Sequence, residues 1–577
     1  MQKYLPFLDW LRGYTKQDFL KDVIAGITIG VVLVPQGMAY AMIAGLPPVY
    51  GLYAGLFPLL VYIFLGTSRQ LAIGPVALDS LLVAAGLGTL AITGVENYIA
   101  MAIFLAFLVG TIQVMLGMFR LGFLVNFLSK PVISGFTSAA AFIIIFSQLK
   151  HLLGVNTAKS NTFYELVLNA LEKIGETNSY DFGLGVLGIL IIMALKKWNK
   201  KIPAILIVVI LGVLAVYFLN LESYGVKIVG EVPQGLPEFQ IPNINFKNIL
   251  NIWPIALTLA LIGYMETISI GKALEEKTGE ETIDANQELL ALGTSNIVGS
   301  FFQSYPVTGS FSRSAISGES GGKTNLAALF TVVLVVLTLL FLTPLFYFVP
   351  NAILASIIMV SVLSLIDYSY PKKLWKNRKD EFVVLIITFL TTLFVGISEG
   401  MLSGVLSSLL LMVYRTSKPH FAVLGNIKDS EYYKNVNRFK DEVIVRDDIL
   451  IIRFDAQLYF GNSSYFKREL FNCIEGKGTV LKAVILNAEA INYIDSTASQ
   501  MLTKVIKEIH DRDIQFFIAG AIGPTRDIIF TSGIIEELHK EYLFVKIKEA
   551  VDYFDNPSAI SVLQEKVAYQ NRVRKNN

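Results

Sequence analysis

Charged side chains are nearly absent from a long stretch near the start of the chain. Residues 23–118 contain only Arg69, Asp79 and Glu96 as charged residues, whereas residues 427–577 are charged throughout. Charged residues make up 16% of the whole chain, although about 25% is typical of a soluble domain. We therefore predict an α-helical membrane protein that is joined to a water-soluble C-terminal domain.

Apolar segments set the number of membrane crossings, because a helix needs about 20 apolar residues to cross a bilayer. Lysine and arginine concentrate in alternate loops, such as 196–201 and 372–379. This bias places those loops and both termini in the cytoplasm. The fourteen predicted segments are 20–43, 48–65, 75–92, 97–118, 131–149, 182–198, 202–219, 249–272, 284–300, 308–320, 325–344, 350–367, 381–396 and 399–415.

The segments also predict the domain boundaries. We expect a cytoplasmic N-terminal segment at 1–22, a transmembrane domain at 23–418, a soluble domain at 427–555 and a polar tail at 556–577. The N-terminus has no short apolar core followed by small residues, so it does not resemble a cleaved signal peptide.

Two short motifs recur in the second half of the chain. Residues 34–37 match the neighbourhood of 265–267, and residues 74–77 match 305–308. Seven predicted spans separate the members of each pair. An odd number of spans inverts the orientation of the second copy, as in the inverted repeats of secondary transporters. The fourteen spans are therefore predicted to form two repeats of seven.

The prolines in one pair of motifs predict interrupted membrane crossings. Residues 70–75 end at Pro75, and residues 301–306 end at Pro306. Residues before a proline avoid the helical region. Each segment is followed by small residues that suit the start of a half-helix. The two helix N-termini would meet near the membrane midplane, where their free N–H groups and partial positive charge favour an anion. The alternative is that both prolines only kink continuous helices.

Three ionisable residues within the spans are candidates for function. Glu266 lies in an otherwise uncharged span and is predicted to take up and release a proton, or else to serve as a structural hydrogen-bond partner. Arg313 is predicted to hold an anion with its planar donors, unless it reaches the headgroups from an inner loop. Asp79 suits either ion coupling or helix capping. Ser310 and Ser312 add hydroxyl groups beside Arg313.

The sequence shows no combination of residues that indicates a cofactor or an enzyme. Cys473 is the single cysteine, and the four histidines have no metal-ligand spacing. Residues 318–324 resemble a phosphate-binding loop, but Ser317 stands where the first glycine is required and no strand of a nucleotide-binding fold precedes it. We therefore predict no metal, no cofactor, no catalytic residue and no nucleic-acid partner.

Short strand and helix patterns alternate after residue 427. Residues 449–454, 483–486, 515–519 and 543–547 are predicted strands, and 462–473, 496–512 and 525–532 are predicted helices. This alternation indicates a small α/β domain. Asp495 would cap the helix that begins at Ser496. Ser496 itself is either a regulatory, phosphorylatable residue or only a part of the cap.

Six motifs stand out in the membrane part: VPQGMAYA (34–41), LPPVYGLY (46–53), GTSR (66–69), IGP (73–75), ETISI (266–270) and GSFSRS (309–314). With these motifs the chain resembles the sulfate permease (SulP) family, a family of anion transporters with a C-terminal STAS domain. The Asp495–Ala498 loop resembles the corresponding STAS loop, in which soluble relatives carry a phosphorylated serine at the position of Ser496.

The resemblance implies a fold of seven plus seven spans in a homodimer, with an anion bound between the third and tenth half-helices. Glu266 matches the carboxylate that family members use for proton coupling, and Asp79 is a second candidate for this role. Ile270 stands where sodium-coupled relatives have a hydroxyl group, which argues against sodium coupling. The residues predicted to line the anion site are Gln36, Tyr40, Val76, Ala77, Gly309, Ser310, Ser312 and Arg313.

The function that follows as an expectation is secondary active transport of a small anion. Sulfate with proton coupling is favoured, and bicarbonate, fumarate and succinate are alternatives. A bacterial inner (plasma) membrane is the expected location. A protein of a different class also remains open, namely a membrane-anchored signalling protein whose STAS domain binds a cytoplasmic partner.

Overall fold

The structure is a computed structural model, and it describes residues 6–557 except 12, 89, 91, 124–128, 157–162, 200–201, 243–245 and 280–282. The predicted tail therefore lies almost entirely outside the described residues. The chain divides into two compact units, Met1–Ser408 and Leu409–Asn577.

The first unit is built from helices, with two very short strands. Its first half contains α1 (Phe7–Leu11), α2 (Lys16–Ile43), α3 (Val49–Tyr53), α4 (Phe57–Leu65), β1 (Ile73–Gly74), α5 (Ala77–Gly88), α6 (Val95–Met118), α7 (Lys130–Ser147), α8 (Leu149–Leu152), α9 (Phe163–Glu172), α10 (Ser179–Trp198) and α11 (Ala204–Leu219). Then follow α12 (Phe246–Thr278), α13 (Ala285–Phe301), β2 (Thr308–Gly309), α14 (Phe311–Glu319), α15 (Leu326–Leu337), α16 (Asn351–Val362), α17 (Ser369–Asn377), α18 (Lys379–Phe394) and α19 (Ile397–Ser417), which extends past the boundary between the units.

Each of the fourteen predicted segments contains a helix, so the helical class of the fold is confirmed. The first segment starts earlier than predicted, because Thr15 caps α2 through Asp18 and the helix begins at Lys16. Among the described residues, six helices are long and apolar enough to cross a membrane: Lys16–Ile43, Val95–Met118, Lys130–Leu152, Ser179–Trp198, Ile249–Glu276 and Leu326–Phe346. The number of crossings stays a prediction.

The two proline segments interrupt their crossings, as predicted. Residues 73–74 and 308–309 are extended and pair antiparallel as β1 and β2, with Ile73 opposite Gly309 and Gly74 opposite Thr308. Helices α5 and α14 start after these strands. The chain is therefore broken at both places, and the alternative of kinked continuous helices is excluded.

The equivalence of Pro75 and Pro306 was wrong. Pro75 directly follows β1, whereas Pro306 precedes β2 and Ser310 directly follows it. Ser310 is consequently the structural counterpart of Pro75. The extended segment also starts later than predicted, because α13 continues to Phe301 and Phe302 and Gln303 form a turn. Ser310 can replace a proline here because it caps α14 with its side chain.

The second unit contains a mixed sheet flanked by helices, which confirms the predicted α/β class. The strand order is β4-β3-β6-β7-β8-β9, and β5 pairs with β3. The central strands β6, β7, β8 and β9 are parallel neighbours. The elements are β3 (Phe421–Ile427), β4 (Tyr433–Asn435), β5 (Val443–Ile444), β6 (Ile449–Phe454), α20 (Ser463–Lys477), β7 (Ala483–Asn487), α21 (Ser496–His510), β8 (Gln515–Ala519), α22 (Gly523–Thr531), α23 (Ile534–Leu538), β9 (Leu543–Phe544) and α24 (Ile547–Asp555).

The sheet of the second unit starts before the predicted boundary at residue 427. Strand β3 begins at Phe421 and pairs antiparallel with β6. Its sequence lies close behind the apolar residues of α19, so hydropathy alone does not separate the two elements. At the other end, β9 stops at Phe544 because α24 begins at Ile547.

A close backbone crossing joins the first two helices of the predicted transmembrane domain. A Cβ atom on Gly51 would lie only 1.9 Å from the carbonyl oxygen of Gly37. This distance is possible only for glycine, so the crossing of α2 and α3 depends on Gly51. A Cβ atom on Gly183, which lies on α10, would have no other heavy atom within 4 Å.

We expect Gly51→Ala to destabilise the protein by roughly 1–3 kcal/mol or more, because the backbone has to move apart to relieve the overlap. Thermal unfolding of the purified protein in detergent measures this change. Gly183→Ala is the matched control, and it should be neutral or stabilising by up to about 1 kcal/mol because alanine favours the helix. Equal melting temperatures for Gly51→Ala and the original chain would contradict the close crossing.

Candidate functional site

Side chains from neighbouring helices form hydrogen bonds with the backbone of the two interrupted segments. The Asn296 side chain on α13 accepts a hydrogen bond from the N–H of Val307 (2.8 Å) and donates one to its carbonyl (3.1 Å). Thr267 accepts from the N–H of Gly309 (3.1 Å). Ser314 accepts from the N–H of Ala72 (2.9 Å). Irregular backbone is tolerated at membrane depth only where protein buries it in this way.

The side chain of Arg313 is completely buried, and its guanidinium has no hydrogen-bond partner within the described part of the chain. Its exposed fraction is 0%, and Nε, Nη1 and Nη2 are all unpaired. The alternative of an arginine that reaches the lipid headgroups is therefore excluded. A buried guanidinium without a partner is costly, and an anion is the ligand that would remove this cost.

The backbone at Gly74 makes room for Arg313. A Cβ atom on Gly74 would lie 3.0 Å from Nη2 of Arg313, and the φ of Gly74 is +141°. Both the close approach and the positive φ favour glycine. The hydroxyl groups of Tyr40 and Tyr305 lie close enough to the guanidinium to interact with it electrostatically.

Helix α2 carries the predicted site residues Gln36 and Tyr40 one turn apart, and both are buried. The Oε1 atom of Gln36 has no hydrogen-bond partner in the described structure. The neighbouring Gly37 lets α2 approach the start of the third predicted crossing, since a Cβ atom added to Gly37 would lie 3.7 Å from Cγ of Pro75. This unpaired amide oxygen next to the half-helix is a hydrogen-bond acceptor, so it is available to a donor group and not to the oxygens of an anion.

The remaining predicted lining residues lie at the starts of the two half-helices. Val76 and Ala77 are buried at the start of α5. Gly309 ends β2, and Ser310 caps α14 by accepting from the N–H of Arg313. Ser312 is exposed, and its hydroxyl lies 3.4 Å from that of Ser310. The paired strands thus bring the N-termini of α5 and α14 together, each with the positive end of its dipole towards the strands.

The two predicted coupling carboxyls lie behind the strand pair. Asp79 is 2% exposed, and its Oδ1 atom has no hydrogen-bond partner among the described residues. Glu266 is partly exposed and lies close enough to Asp79 to interact with it electrostatically. Gly263 lies between Asp79 and Thr308, since a Cβ atom on Gly263 would lie 3.6 Å from Oδ2 of Asp79 and 3.0 Å from Oγ1 of Thr308.

Several residues of the site were missed in the sequence. The hydroxyl oxygens of Thr267 and Thr308 lie 3.1 Å apart, and both hydroxyls donate to the carbonyl of Gly263. The hydroxyl oxygens of Tyr305 and Ser80 lie 3.1 Å apart. Asn296 was detectable as a buried amide within an apolar helix, whereas the threonines were not, because threonine commonly bonds to its own helix.

Ser496 belongs to the second unit, where it lies at the exposed start of α21. Asp495 caps the helix by accepting from the N–H of Ala498 at 2.7 Å, and it also accepts from the N–H of Phe460 at 2.8 Å. The capping role of Asp495 is confirmed. The hydroxyl of Ser496 remains accessible for modification, and its regulatory role stays a prediction.

Two family models together match most of the chain. The model of the sulfate permease family matches residues 19–388, and that of the STAS domain matches residues 441–552. The chain belongs to the sulfate permease family. Members of the sulfate permease family are transporters and not enzymes, which agrees with the sequence analysis.

Curated relatives and solved structures support this assignment. Sulfate transporter 4.1, chloroplastic, of Arabidopsis thaliana is 39% identical over 95% of this chain and 82% of its own length. Sulfate transporter 3.2 of the same plant is 34% identical over 96% and 88%. The inward-facing structure of the murine Solute Carrier 26 family member A9 anion transporter has a TM-score of 0.89 at 27% identity, over 95% of this chain and 94% of that one. The transmembrane domain of a cyanobacterium bicarbonate transporter shares the fold at 22% identity, with a TM-score of 0.60 over 69% of this chain and 98% of that one.

We expect Arg313→Met to raise the melting temperature of the protein in a buffer that contains only a large organic anion. Methionine replaces an unpaired buried charge with an apolar side chain, and such exchanges stabilise by up to about 1–4 kcal/mol. The same substitution should abolish the stabilisation that added sulfate gives to the original chain. Differential scanning fluorimetry measures both effects.

Arg438→Met is the control, because Arg438 is exposed in the second unit. It should leave both the melting temperature and its response to sulfate unchanged. A lower melting temperature for Arg313→Met in the anion-free buffer would show that the guanidinium is already compensated within the protein.

Proposed function

We propose that this member of the sulfate permease family is a secondary active transporter of sulfate, which it binds between the N-termini of α5 and α14. The observation that carries the proposal is the buried, unpaired guanidinium of Arg313 beside the paired strands. The names of the curated relatives, which are sulfate transporters, support the choice of anion.

The chemistry of the site suits a tetrahedral dianion. The guanidinium offers planar donors that match two oxygens of an oxyanion. The free N–H groups of α5 and α14 face the other oxygens, and each helix end contributes about half a positive charge. Arg313 and the two helix ends together then balance a charge of about two. Gln36, Tyr40, Val76, Ala77, Gly309, Ser310 and Ser312 complete the proposed lining.

Proton coupling is the second part of the proposal. The carboxyls of Glu266 and Asp79 lie beside the strand pair, so a negative charge on either one opposes the bound anion. A proton on Glu266 removes this opposition and would travel with the anion. Asp79 is buried and keeps one oxygen without a partner among the described residues, which makes it the second candidate for the proton.

Transport requires the site to open to each side of the membrane in turn. We propose that the half-helices and their supporting helices tilt as a body against the rest of the first unit, in a homodimer in the plasma (inner) membrane. Both termini are then cytoplasmic. The concentration of lysine and arginine in the proposed inner loops supports this orientation.

We expect the protein to take up radiolabelled sulfate in proteoliposomes, and an acid-outside pH gradient to stimulate this uptake several-fold. Glu266→Gln should lose the stimulation, because the glutamine side chain does not titrate. Glu96→Gln is the matched control, since Glu96 is exposed at the start of α6. An unchanged pH profile in Glu266→Gln would reject proton coupling through this residue.

The same vesicles test the identity of the anion. Sulfate uptake no greater than in empty liposomes, with labelled bicarbonate, fumarate or succinate transported instead, would reject sulfate and leave the site assignment intact. Arg313→Ala distinguishes these cases, because it should abolish uptake of whichever anion the site binds. Normal uptake by Arg313→Ala would reject the site itself.

Ser496 is proposed as a regulatory position, through which a cytoplasmic partner acts on the second unit. Its exposure at the helix start supports this role. Peptide mass spectrometry of the protein from its native membrane should find phosphate at Ser496. If no phosphate is found at Ser496 under any growth condition, the regulatory role is rejected and the residue is only part of the helix start.

A further inference from the structure

A short helix that the sequence analysis missed carries an exposed basic and aromatic surface. Helix α17 connects α16 to α18, and Leu374 is its one fully buried side chain. Tyr368, Lys372, Trp375 and Lys376 share the opposite face, because they lie at helical spacing from one another. We name the basic surface as the set Lys372, Lys373, Trp375, Lys376, Arg378 and Lys379, all of which are exposed.

The positive charges of the basic surface are largely uncompensated. No ion pair within the described residues involves Lys372, Lys373 or Lys376. The nearest acidic residue of the preceding turn, Asp367, is occupied in accepting from the N–H groups of Ser369 (2.9 Å) and Tyr370 (3.0 Å). Asp380 and Glu381 follow Arg378 and Lys379 directly in the chain and lie in the first turn of α18, so they offset part of the charge of the basic surface but not that of the three lysines on α17.

Aromatic rings contact one lysine of the basic surface and a further lysine on α7. Lys379 lies over the ring of Trp375 at 5.7 Å, and Lys130 of α7 lies over the ring of Tyr370 at 4.9 Å. The Trp375 ring also contacts that of Phe382 edge-on at 5.0 Å, yet the side chain remains 60% exposed. A tryptophan held among cations, with its ring accessible, is typical of the membrane interface, where amphipathic rings lie at headgroup level.

We propose that the basic surface binds the phosphate headgroups of anionic phospholipids from the adjacent leaflet. The charge of the surface is complementary to a phosphate diester, and Trp375 would lie at the boundary between headgroup and acyl chain. Because α17 links α16 to α18, a bound lipid would anchor this connection to the bilayer. The proposal rests on the proposed orientation, which places α17 at an inner-leaflet surface, and not on the identity of the transported anion.

Quenching of tryptophan fluorescence by brominated lipids tests the proposal at the position of Trp375. The chain has four tryptophans, so W10F/W198F/W253F leaves Trp375 as the single reporter. We expect brominated phosphatidylglycerol in phosphatidylcholine vesicles to quench Trp375 with an apparent preference of at least about tenfold over brominated phosphatidylcholine. Each basic side chain near an anionic surface contributes about a fivefold increase in binding.

K372Q/K373Q/K376Q should remove this preference, since the three side chains together contribute about 100-fold. The matched control is K504Q/K507Q/K540Q, which removes the same charge from exposed lysines of the second unit and should keep the preference. About 1 M salt should weaken binding to the original surface, because it shortens the screening length to about 3 Å.

Equal quenching by the two brominated lipids, or a preference that survives K372Q/K373Q/K376Q, would overturn the proposal. Native mass spectrometry of the otherwise unsubstituted chain provides a second readout, in which retained phosphatidylglycerol should disappear with the same three substitutions. Neither measurement involves transport, so failure here leaves the proposed sulfate uptake to be judged separately.

Discussion

The antiparallel pairing of β1 and β2 is the contact on which the arrangement of the first unit depends. Two residues from each strand are enough to join the two halves of the first unit, because Ile73 and Gly74 pair with Gly309 and Thr308 directly. A backbone that leaves its helix inside a membrane has to find partners for its polar groups. The strand pair supplies some of them, and side chains such as Asn296 supply others. Both half-helices consequently start at a defined place and point in opposite directions.

This pairing also explains how an unpaired charge is tolerated in the protein interior. Arg313 is the third residue of α14, and Ser310 caps that helix, so the guanidinium is positioned by backbone geometry that does not depend on the ligand. Gly74 leaves the space that the guanidinium occupies. Desolvation of an isolated cation costs several kcal/mol. The protein meets this cost through the stability of the surrounding helices, a trade of stability for function that is common at binding sites.

Much of the fold follows from local patterns, and the exceptions have physical reasons. Strands β6 and β8 match the predicted bounds because buried parallel strands form continuous apolar runs. The predicted equivalence of Pro75 and Pro306 was wrong because the same residue type need not occupy the same structural position in both halves. The position that corresponds to Pro75 is taken by a serine that caps the helix. The site residues Arg313 and Gln36 were found from their types and motifs. Thr267 and Thr308 were not, because only the tertiary structure brings their two hydroxyls together at the carbonyl of Gly263.

The charged groups near the paired strands suggest how the proposed transport cycle couples the anion to a proton. A dianion is balanced by one arginine and two helix ends only while no further negative charge faces it. Glu266 and Asp79 approach the same strand pair from α12 and α5, and ionised carboxyls there would repel the anion from behind. In the proposed cycle, binding of the anion would therefore favour proton uptake by the pair, and release of the anion would favour loss of that proton. One electrostatic constraint would then couple the proposed movements of proton and sulfate without contact between them.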